Sequence, residues 1–445
     1  MKWNHHSNRR LLEAIVASFY ESPERAASRL ARFDEGDWKQ TDFWLDTSGL
    51  ALYFLDRIES VGVAESIDPR TLSRLREKMA NNRVRTGGLM QEFVALNQLF
   101  LRAGLCFANV KGFTLSPASC RDPSLRHQSD YDFLIDPADL DTARRSLEER
   151  GYRVTGKTAR TLEFKSGTVQ KVSLEGHYKP KPVRAVELHT SIDSQDFART
   201  PGLRDHRLDR WIAWECGAES FPALCEADQF IGQALHLLGH LLGEHTRPSW
   251  LLEFRRHATY RQHDAAFWQD VARLADERSE ARLAIGLSAV LAKEVFGSFP
   301  ITSLCEHFQN SLPVEVQLWA KMYGRRAMLA EVPGTKLCRL LERAIAKSGS
   351  ASQPRKPLLR LVPLHAPPRI LRAPAKDTLR LRLHREWIQV QYILYRASFH
   401  LREALRVKFE SWRWERALTR LTASREDSAN GCHDDVLLPE GESAR

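Results

Sequence analysis

The stretch SDYDFLIDPADLDTARRSLEERGY, residues 129–152, determines the predicted fold because it passes from an alternating strand into a helix. Side chains alternate between the two faces of an extended strand, so Asp130 and Asp132 share one face. Tyr131 and Phe133 occupy the opposite face, which is apolar and suits packing against a core. The pattern predicts a half-buried strand that holds two carboxylates side by side.

The second half of the stretch predicts a capped helix. Asp136 fits the N-cap position, with Pro137 as the first helical residue. Asp139 and Asp141 fall in the first turn, where the helix dipole favours negative charge, and Gly151 is a natural C-terminal stop. These three aspartates need no catalytic explanation.

The two strand aspartates allow two interpretations. Carboxylates held close together in a partly dry site repel each other unless a cation neutralises them, and Mg²⁺ prefers such oxygen ligands. Alternatively, Asp130 and Asp132 mark an exposed strand end with both carboxylates in water. Glu187, an isolated acid in the predicted strand RAVELHTSI, is likewise either a third metal ligand or a surface residue of an edge strand.

Short β-rich runs surround the opening stretch. With a length of 445 residues, the chain exceeds the usual size of one compact core and predicts two or three domains. Helical periodicity precedes the β-rich region and returns at residues 207–347. The predicted strands are CFANVKG, YDFLI, YRVTG, TLEFKSG, TVQKVSL and RAVELHTSI.

We therefore predict an α+β fold, in which a small mixed-sheet domain is embedded between helical regions and a basic helical segment follows. Six prolines between residues 354 and 374 favour an extended linker. The predicted segments are a helical N-terminal region (1–89), the α/β core (90–200), a helical domain (201–349), a Pro-rich linker (350–377), a basic amphipathic helical segment (378–424) and an acidic disordered tail (425–445).

Composition argues against several classes of protein. The longest apolar run, around residues 283–292, is too short to cross a bilayer, so no transmembrane segment is predicted. The first twenty residues lack the sustained apolar run and cleavage site of a secretory signal. Seven scattered cysteines without CxxC spacing argue against a disulfide framework or a structural zinc site. We expect a cytoplasmic protein with reduced cysteines.

Positive charge is concentrated in one segment. Residues 355–425 hold 17 Lys and Arg against 5 Asp and Glu, whereas the whole chain has a net charge of +10. Within this segment, residues 378–424 mix arginine with aromatic side chains, which predicts one or two amphipathic helices. The segment is either an ordinary solvated face or a docking surface for an anionic partner, such as nucleic acid or a membrane surface.

Four histidines are candidate pocket residues. His236 and His240 lie one turn apart on a predicted helix, which is compatible with metal binding. Without the HExxH order or a clear third ligand, we interpret them as helix-surface or pocket-lining residues. His177 and His189 lie near Glu187 in sequence, and strand alternation places His189 on the face of Glu187. These two are either pocket residues or hydrogen-bonded structural histidines.

An ordered set of motifs resembles a known superfamily. The motifs are the helix QEFVALNQLFLRAGL, then VKGFTLSP, then R-x-x-S-D-Y-D-F-L-I from Arg126, then a helix ending in ERGY, then VELH. Together they resemble the nucleotidyltransferases of the DNA polymerase β-like superfamily. The closer resemblance is to a bacterial family of uncharacterised nucleotidyltransferases and covers roughly residues 90–260. It implies a polymerase β-like palm as the mixed-sheet core.

The resemblance also implies roles for the acids and their cofactor. Asp130 and Asp132 would bind catalytic Mg²⁺ or Mn²⁺, and Glu187 would be the third acid of the metal site. The implied reaction is attack of an acceptor hydroxyl on the α-phosphate of an NTP, with release of pyrophosphate. Glu187 or Asp132 would help to deprotonate the acceptor.

The same resemblance implies a nucleotide-binding set. Lys111 and Gly112 stand where the superfamily usually has a Gly-Ser turn that contacts the triphosphate. Here Phe113 follows the glycine, so the serine hydroxyl is absent. Arg126 and Ser129 match the approach to the acid pair and would steady the triphosphate or the loop, although Arg126 also fits a surface position.

Two functional hypotheses follow from these residues. The first is an active nucleotidyltransferase with an NTP substrate and an unidentified acceptor, which is a small molecule, an RNA or a protein. The second is a catalytically weak nucleotide-binding adaptor that recruits a partner or nucleic acid through its basic segment. The intact trio of Asp130, Asp132 and Glu187 favours the enzyme, whereas the missing Gly-Ser turn favours the adaptor.

Overall fold

The computed structural model describes most of the chain. The described residues are 5–167, 176–180, 184–191, 205–300, 303–332, 334–347, 370–371 and 378–431. The predicted strand TVQKVSL, most of the predicted Pro-rich linker and residues 432–445 of the predicted tail lie outside these ranges.

Helices precede and follow a sheet, as an α+β fold requires. Pro248 in the first turn of a helix and Gly49 at a left-handed C-cap illustrate the sequence signals that delimit them. The helices are α1 (His5–Ala17), α2 (Pro23–Leu30), α3 (Glu35–Ser48), α4 (Ala51–Ser60), α5 (Pro69–Arg102), α6 (Leu140–Glu149), α7 (Glu226–Leu242), α8 (Pro248–Tyr260), α9 (Ala265–Asp276), α10 (Ser279–Phe296), α11 (Ser303–Asn310), α12 (Val314–Trp319), α13 (Arg325–Met328), α14 (Cys338–Lys347) and α15 (Leu379–Gly431).

One mixed sheet forms the centre of the α/β part. Its strands are β1 (Phe107–Asn109), β2 (Asp130–Ile135), β3 (Tyr152–Lys157), β4 (Thr161–Ser166), β5 (Arg184–His189), β6 (Trp211–Cys216) and β7 (Glu219–Leu224). They lie in the order β3-β4-β5-β2-β1-β7-β6. Strand β2 pairs antiparallel with β1 and parallel with β5, while β1 also pairs parallel with β7. The predicted fold class, a mixed sheet between helical regions, is confirmed.

The hairpin β6–β7 corrects the sequence-based prediction. We predicted helix from residue 207 onward, but residues 211–224 form two antiparallel strands joined at Gly217, which has a φ of +65°. The strand pattern is weak in the sequence because Pro222 lies within β7 and the apolar Trp211 is exposed on β6. The sheet therefore extends beyond residue 200, where we had placed the end of the core.

Helix α5 connects two hydrophobic cores. Near its start, Leu72 and Leu75 belong to a large core built by the N-terminal helices together with α7–α14, which we call the helical body. Near its end, Phe93 and Phe100 pack on the sheet against Phe133. This single helix therefore crosses the boundary that we had placed between residues 89 and 90, and it joins the sheet to the helical body.

Strand β2 has the predicted alternation. Tyr131 and Phe133 are buried in the core beneath α5, and the Tyr131 hydroxyl donates a hydrogen bond to the Leu89 carbonyl oxygen over 3.0 Å. Asp130 and Asp132 point to the other face of the sheet, toward the cavity described below. Burial of the two aromatic rings, worth about 1.5–3 kcal/mol each, fixes the face on which the aspartates stand.

The turn after β2 begins as predicted, but α6 itself starts three residues later than predicted, at Leu140. The Asp136 carboxylate accepts a hydrogen bond from the Ala138 amide over 3.0 Å, and Pro137 opens a short 3₁₀ turn that leads into α6. Asp139 has an additional role that the sequence did not reveal: its carboxylate accepts a hydrogen bond from the Cys106 amide over 2.7 Å. This contact fastens the start of the helix to the segment before β1.

The basic segment forms one long helix, α15, rather than two. It continues through residues 425–431, which we had predicted to belong to the disordered tail. None of the helices in the described part of the chain combines the length and the apolar composition needed to cross a membrane.

Candidate active site

The parallel pairing of β2 with β5 brings the predicted acids together. In this register Asp132 lies opposite Glu187, and Asp130 lies opposite Ala185. Because side chains of paired residues on neighbouring strands point to the same face, Asp132 and Glu187 project side by side. Residues separated by 55 positions in the sequence thereby share one site.

Asp132 is at the centre of a compact polar group. The His189 Nε2 atom lies 3.0 Å from Asp132 Oδ1 and 3.4 Å from Glu187 Oε2. The Lys111 Nζ atom lies 3.6 Å from the same Asp132 oxygen. On its other side, His189 Nδ1 lies 3.2 Å from the Thr161 hydroxyl of β4. His189 is thus held between two strands and fixes the Asp132 carboxylate.

Burial and mutual repulsion raise the pKa values of two of the three acids, whereas neighbouring side chains lower that of the third. Burial raises the pKa of Glu187 to about 7, and the charges of Asp132 and Asp130 add to this effect. The pKa of Asp130 is also raised, by burial and then by the Asp132 charge. Burial opposes ionisation of Asp132 as well, but Lys111 and His189 outweigh it and lower its pKa. The three acids are therefore close enough for their negative charges to repel one another.

Helix α5 fastens the loop that leads to the acids. The Asn82 amide donates hydrogen bonds to the carbonyl oxygens of Ser124, over 2.6 Å, and Arg126, over 3.1 Å. The buried Arg85 guanidinium donates to the Gln128 carbonyl oxygen, and burial lowers the pKa of Arg85 to about 10. Moving the loop away from α5 would leave these buried carbonyl oxygens without donors, at a cost of about 1–3 kcal/mol each. The loop is therefore held in one position.

Gly112 lies behind the cavity wall rather than in it. Its φ of +69° is unfavourable for other residues, and a Cβ there would stand 2.5 Å from the Gln128 amide nitrogen. That amide donates a hydrogen bond to the Asp130 carbonyl oxygen over 2.9 Å. Gly112 therefore admits the side chain that holds the acid strand, while its neighbour Lys111 lines the cavity.

Arg126 is an interior residue and not a surface arginine. Its Nε atom lies 3.3 Å from the Glu253 carboxylate of α8, which also accepts a hydrogen bond from the Tyr53 hydroxyl over 2.8 Å. Burial acts to lower the pKa of Arg126, but the Glu253 charge outweighs it and raises the pKa. The contact joins the loop before β2 to the helical body.

The opposite wall of the cavity belongs to the helical body. The rings of His236 and His240 lie 4.6 and 4.4 Å from the Trp250 ring, measured between centroids. The Arg247 guanidinium lies 5.5 Å from the same ring. Burial lowers the pKa of His240 to about 3, with the charges of His245 and Lys111 as further causes. These histidines are neutral pocket-lining side chains at pH 7.

His177 completes the edge of the cavity within the described stretch 176–180. Its ring stacks on the His127 ring with 3.4 Å between centroids, and the His177 carbonyl oxygen lies 2.9 Å from His127 Nε2. His177 thus combines a structural contact with a position at the cavity.

Nearly all the predicted site residues surround one cavity of about 480 Å³. His189 stands behind Asp132, and Gly112 is the other candidate that does not line the cavity. The predicted residues that line it are Lys111, Arg126, Ser129, Asp130, Asp132, His177, Glu187, His236 and His240.

Asp132, Glu187 and His189 form a group that fits a divalent cation. Each offers one donor atom, and these atoms all lie within 4.8 Å of one another. Carboxylate oxygens suit Mg²⁺ and Mn²⁺, and an imidazole nitrogen is also a common metal ligand. Among the residues that the structure describes, no other set of three His, Cys, Asp or Glu side chains meets this distance, and Asp130 lies beside the group rather than within it.

Sequence analysis missed two residues of the helical body that face the acids. Arg247 immediately precedes α8, Trp250 lies in the first turn of that helix, and both line the cavity. The Arg247 Nε atom is buried without a hydrogen-bond acceptor among the described residues. The RPSW sequence contains a helix-start signal, since proline favours the first turn. Nothing local indicates that this turn faces β2 across the cavity, because that arrangement depends on the tertiary fold.

Comparison with protein families identifies a match. A protein-family model described as "Uncharacterised nucleotidyltransferase" matches residues 34–297, which is more than half of the 445-residue chain. The matched range contains the entire sheet and helices α3–α10, and therefore both walls of the cavity. No curated protein matches the chain.

Proposed function

Because the chain belongs to the family of uncharacterised nucleotidyltransferases, we propose that it transfers a nucleoside monophosphate from an NTP to a hydroxyl acceptor. A bond forms between the acceptor oxygen and the α-phosphorus, while the bond from the α-phosphorus to the bridging oxygen breaks. The hydroxyl proton passes to a general base, Glu187 or Asp132, and pyrophosphate leaves. A small molecule, an RNA or a protein can supply the hydroxyl.

The observation that carries this proposal is the parallel register of β2 and β5. It sets Asp132 opposite Glu187 on a face that opens into the cavity, with Asp130 on the same strand. A fold stabilised only by core packing has no reason to collect three acids on a partly dry face, because their mutual repulsion is unfavourable. The arrangement favours an active enzyme over a catalytically weak adaptor.

The proposed cofactor is Mg²⁺ or Mn²⁺. Asp132, Glu187 and His189 would hold it, with Asp130 as a further carboxylate that lines the same cavity. When bound, the ion neutralises charge that develops on the phosphate oxygens and lowers the pKa of a bound hydroxyl. Without the ion, His189 orients Asp132 through the 3.0 Å contact of its Nε2 atom, and Lys111 limits the negative charge of that carboxylate.

The remaining cavity residues suit a triphosphate and a planar group. Lys111 after β1, Arg126 before β2 and Arg247 at the start of α8 bring positive charge to the cavity from three segments. The N-terminal turn of α8 adds the positive end of a helix dipole, which favours anions. Trp250 offers an aromatic face of the kind on which a nucleobase stacks.

Transfer of a radioactive α-phosphate tests the proposal. The protein is incubated with each α-labelled NTP and Mg²⁺ or Mn²⁺ in the presence of cell extract, which supplies acceptors of all three classes. Asp130→Asn/Asp132→Asn preserves shape but removes both charges. We expect metal-dependent labelling by the wild type and a loss of at least about 100-fold in the double variant.

A matched control lies in the same motif. Asp141→Asn changes an exposed helix residue whose carboxylate faces Arg144, so labelling should remain at the wild-type level. Labelling that persists in Asp130→Asn/Asp132→Asn would refute the proposed site. NTP binding without transfer to any acceptor would instead favour the adaptor hypothesis.

A further inference from the structure

Helix α15 is fixed to the helical body along one side. The Tyr392 ring lies 5.0 Å from the Phe43 ring, and the Tyr395 hydroxyl donates a hydrogen bond to Glu331 over 2.7 Å. Farther along, Trp414 is fully buried in the core of the helical body. These contacts recur at helical spacing and set the rotation of the helix about its own axis.

The opposite side of α15 carries a long exposed apolar stripe. Its residues follow one another at intervals of three, four or seven positions, so they lie on one face over about 44 Å. No other described part of the chain covers them, and each side chain is 44–64% exposed. The stripe consists of Leu383, Trp387, Val390, Leu394, Leu401, Leu405, Phe409 and Trp412. Monomeric proteins rarely leave so extended an apolar surface without a partner.

Basic side chains flank the stripe. Among the residues of α15 whose side chains are described, eight Lys and Arg are exposed, whereas Glu415 is the one exposed acid. Two further acids, Glu403 and Glu410, are buried against the helical body and add no charge to the outer face. The exposed basic residues are Arg380, Arg382, Arg402, Arg406, Lys408, Arg413, Arg416 and Arg420.

We propose that this face of α15 docks on an anionic membrane surface, independently of the nucleotidyl transfer. The apolar stripe enters the boundary between headgroups and acyl chains, while the flanking arginines contact lipid phosphates. Trp387 and Trp412 stand near the two ends of the stripe, and tryptophan favours this boundary because its ring is apolar and its N–H is polar.

The charge distribution selects this partner over two others. A second copy of the chain would bring an equally basic flank against the first, so like charges would repel. A nucleic acid would pair with the arginines but would leave the leucines of the stripe in water. An anionic bilayer satisfies both the apolar stripe and the positive flanks.

Vesicle flotation with the full-length protein tests the inference. The vesicles consist of phosphatidylcholine alone or of phosphatidylcholine with about one third phosphatidylglycerol. We expect about tenfold more protein on the anionic vesicles, and a decrease as salt screens the charges. Leu394→Glu/Leu401→Glu should abolish flotation, and Lys408→Gln/Arg416→Gln should weaken it in low salt.

The matched control places acids on another exposed apolar surface. Val84→Glu/Leu101→Glu alters side chains of α5 that are 69% and 46% exposed, and it should float like the wild type. A thermal unfolding midpoint equal to that of the wild type verifies the fold of each variant.

Three results would overturn the inference. One is equal flotation, or none, on the two kinds of vesicle. Another is a concentration-dependent dimer in sedimentation that Leu394→Glu/Leu401→Glu disperses, which would identify a second copy as the partner. The third is RNA binding that the same variant removes while vesicle binding remains.

Discussion

At the scale of single residues, His189 controls the orientation of a central carboxylate. It contacts Asp132 over 3.0 Å and Thr161 over 3.2 Å, so its ring cannot rotate without losing both partners. His189→Ala should lower the rate of nucleotidyl transfer about 10- to 100-fold, as is typical when the partner of a metal-binding carboxylate is removed. Steady-state labelling at several Mn²⁺ concentrations should show a higher half-saturating concentration of the ion.

The control for this variant is His206→Ala, which removes an imidazole that is 75% exposed. Its activity should equal that of the wild type. His189→Asn keeps a side-chain amide near Asp132 and should recover part of the rate. An unchanged rate in His189→Ala would show that Asp132 needs no such support.

Arg247 provides a second test at the residue scale. Its guanidinium has a buried Nε atom that lacks an acceptor in the described chain, which suits an anionic ligand. Arg247→Gln should raise the KM for NTP about tenfold and change kcat less, because a ground-state phosphate contact is lost. Arg255→Gln is the control: Arg255 lies on α8 too, but it donates to the Ser298 carbonyl oxygen over 2.8 Å. Equal KM values for both variants would exclude Arg247 from NTP binding.

Gly112 tests how close packing behind the site affects stability. Gly112→Ala places a methyl group 2.5 Å from the Gln128 amide and also strains a φ of +69°, so the free energy of unfolding should fall by about 2–4 kcal/mol. Gly104→Ala separates the two causes, because Gly104 has a similar φ of +67° but open space around it. Gly104→Ala should lower the free energy of unfolding by about 1 kcal/mol. Urea unfolding measures both values, and equal losses would argue against the steric contact.

At the scale of elements, an ionic contact joins α7 to α8. Glu226 at the start of α7 accepts a hydrogen bond from Arg261 Nε over 2.9 Å and lies 3.3 Å from His257. Burial alone would raise the pKa of Glu226, but these two contacts outweigh burial and hold the pKa at about 2. A carboxylate whose pKa is depressed by folding stabilises the protein above its unfolded pKa and loses this effect as the pH falls.

Thermal unfolding at several pH values tests whether this stabilisation is lost as the pH falls. Glu226→Gln should destabilise the protein by about 1–2 kcal/mol at pH 7, where the carboxylate is ionised in both states. The difference from wild type should shrink as the pH falls below about 4.5 and nearly vanish at about pH 2. Glu215→Gln on β6, an exposed residue, should show no such dependence. A difference that stays constant with pH would attribute the loss to packing alone.

Elements differ in how far their sequences predict them. In SDYDFLIDPADLDTARRSLEERGY, the change from strand to helix after Ile135 can be predicted from local rules. Strand alternation and the Asp136 cap both act within a few residues. The β6–β7 hairpin is harder to predict, because Pro222 conflicts with strand propensity and pairing of β7 with β1 is a tertiary contact that local patterns do not show. The position of Trp250 opposite the acids is not predictable locally, since it depends on how the helical body meets the sheet.

At the scale of the whole molecule, the cavity lies between two cores. Asp132 and Lys111 belong to the sheet side, whereas Arg247 and Trp250 belong to the helical body. Helix α5 is common to both cores, and the contact of Arg126 with Glu253 adds a second link near the cavity. A triphosphate held from both sides would therefore strengthen the junction of the two cores, and not only one wall.

Ligand binding should consequently raise the unfolding temperature of the whole chain. An NTP with Mg²⁺ at about 100 times its Kd adds about 2.7 kcal/mol to the free energy of unfolding, which corresponds to a rise of a few degrees. The matching nucleoside, which lacks phosphates, should give a much smaller rise. In Asp130→Asn/Asp132→Asn, the part of the temperature rise that depends on Mg²⁺ should be lost. In Arg247→Gln, the temperature rise with NTP should be smaller both with and without the ion. Tryptophan fluorescence during thermal unfolding measures all four cases. An equal rise in unfolding temperature with nucleoside and with NTP would mean that the phosphates contribute nothing to binding. This result would contradict a triphosphate held by both cores.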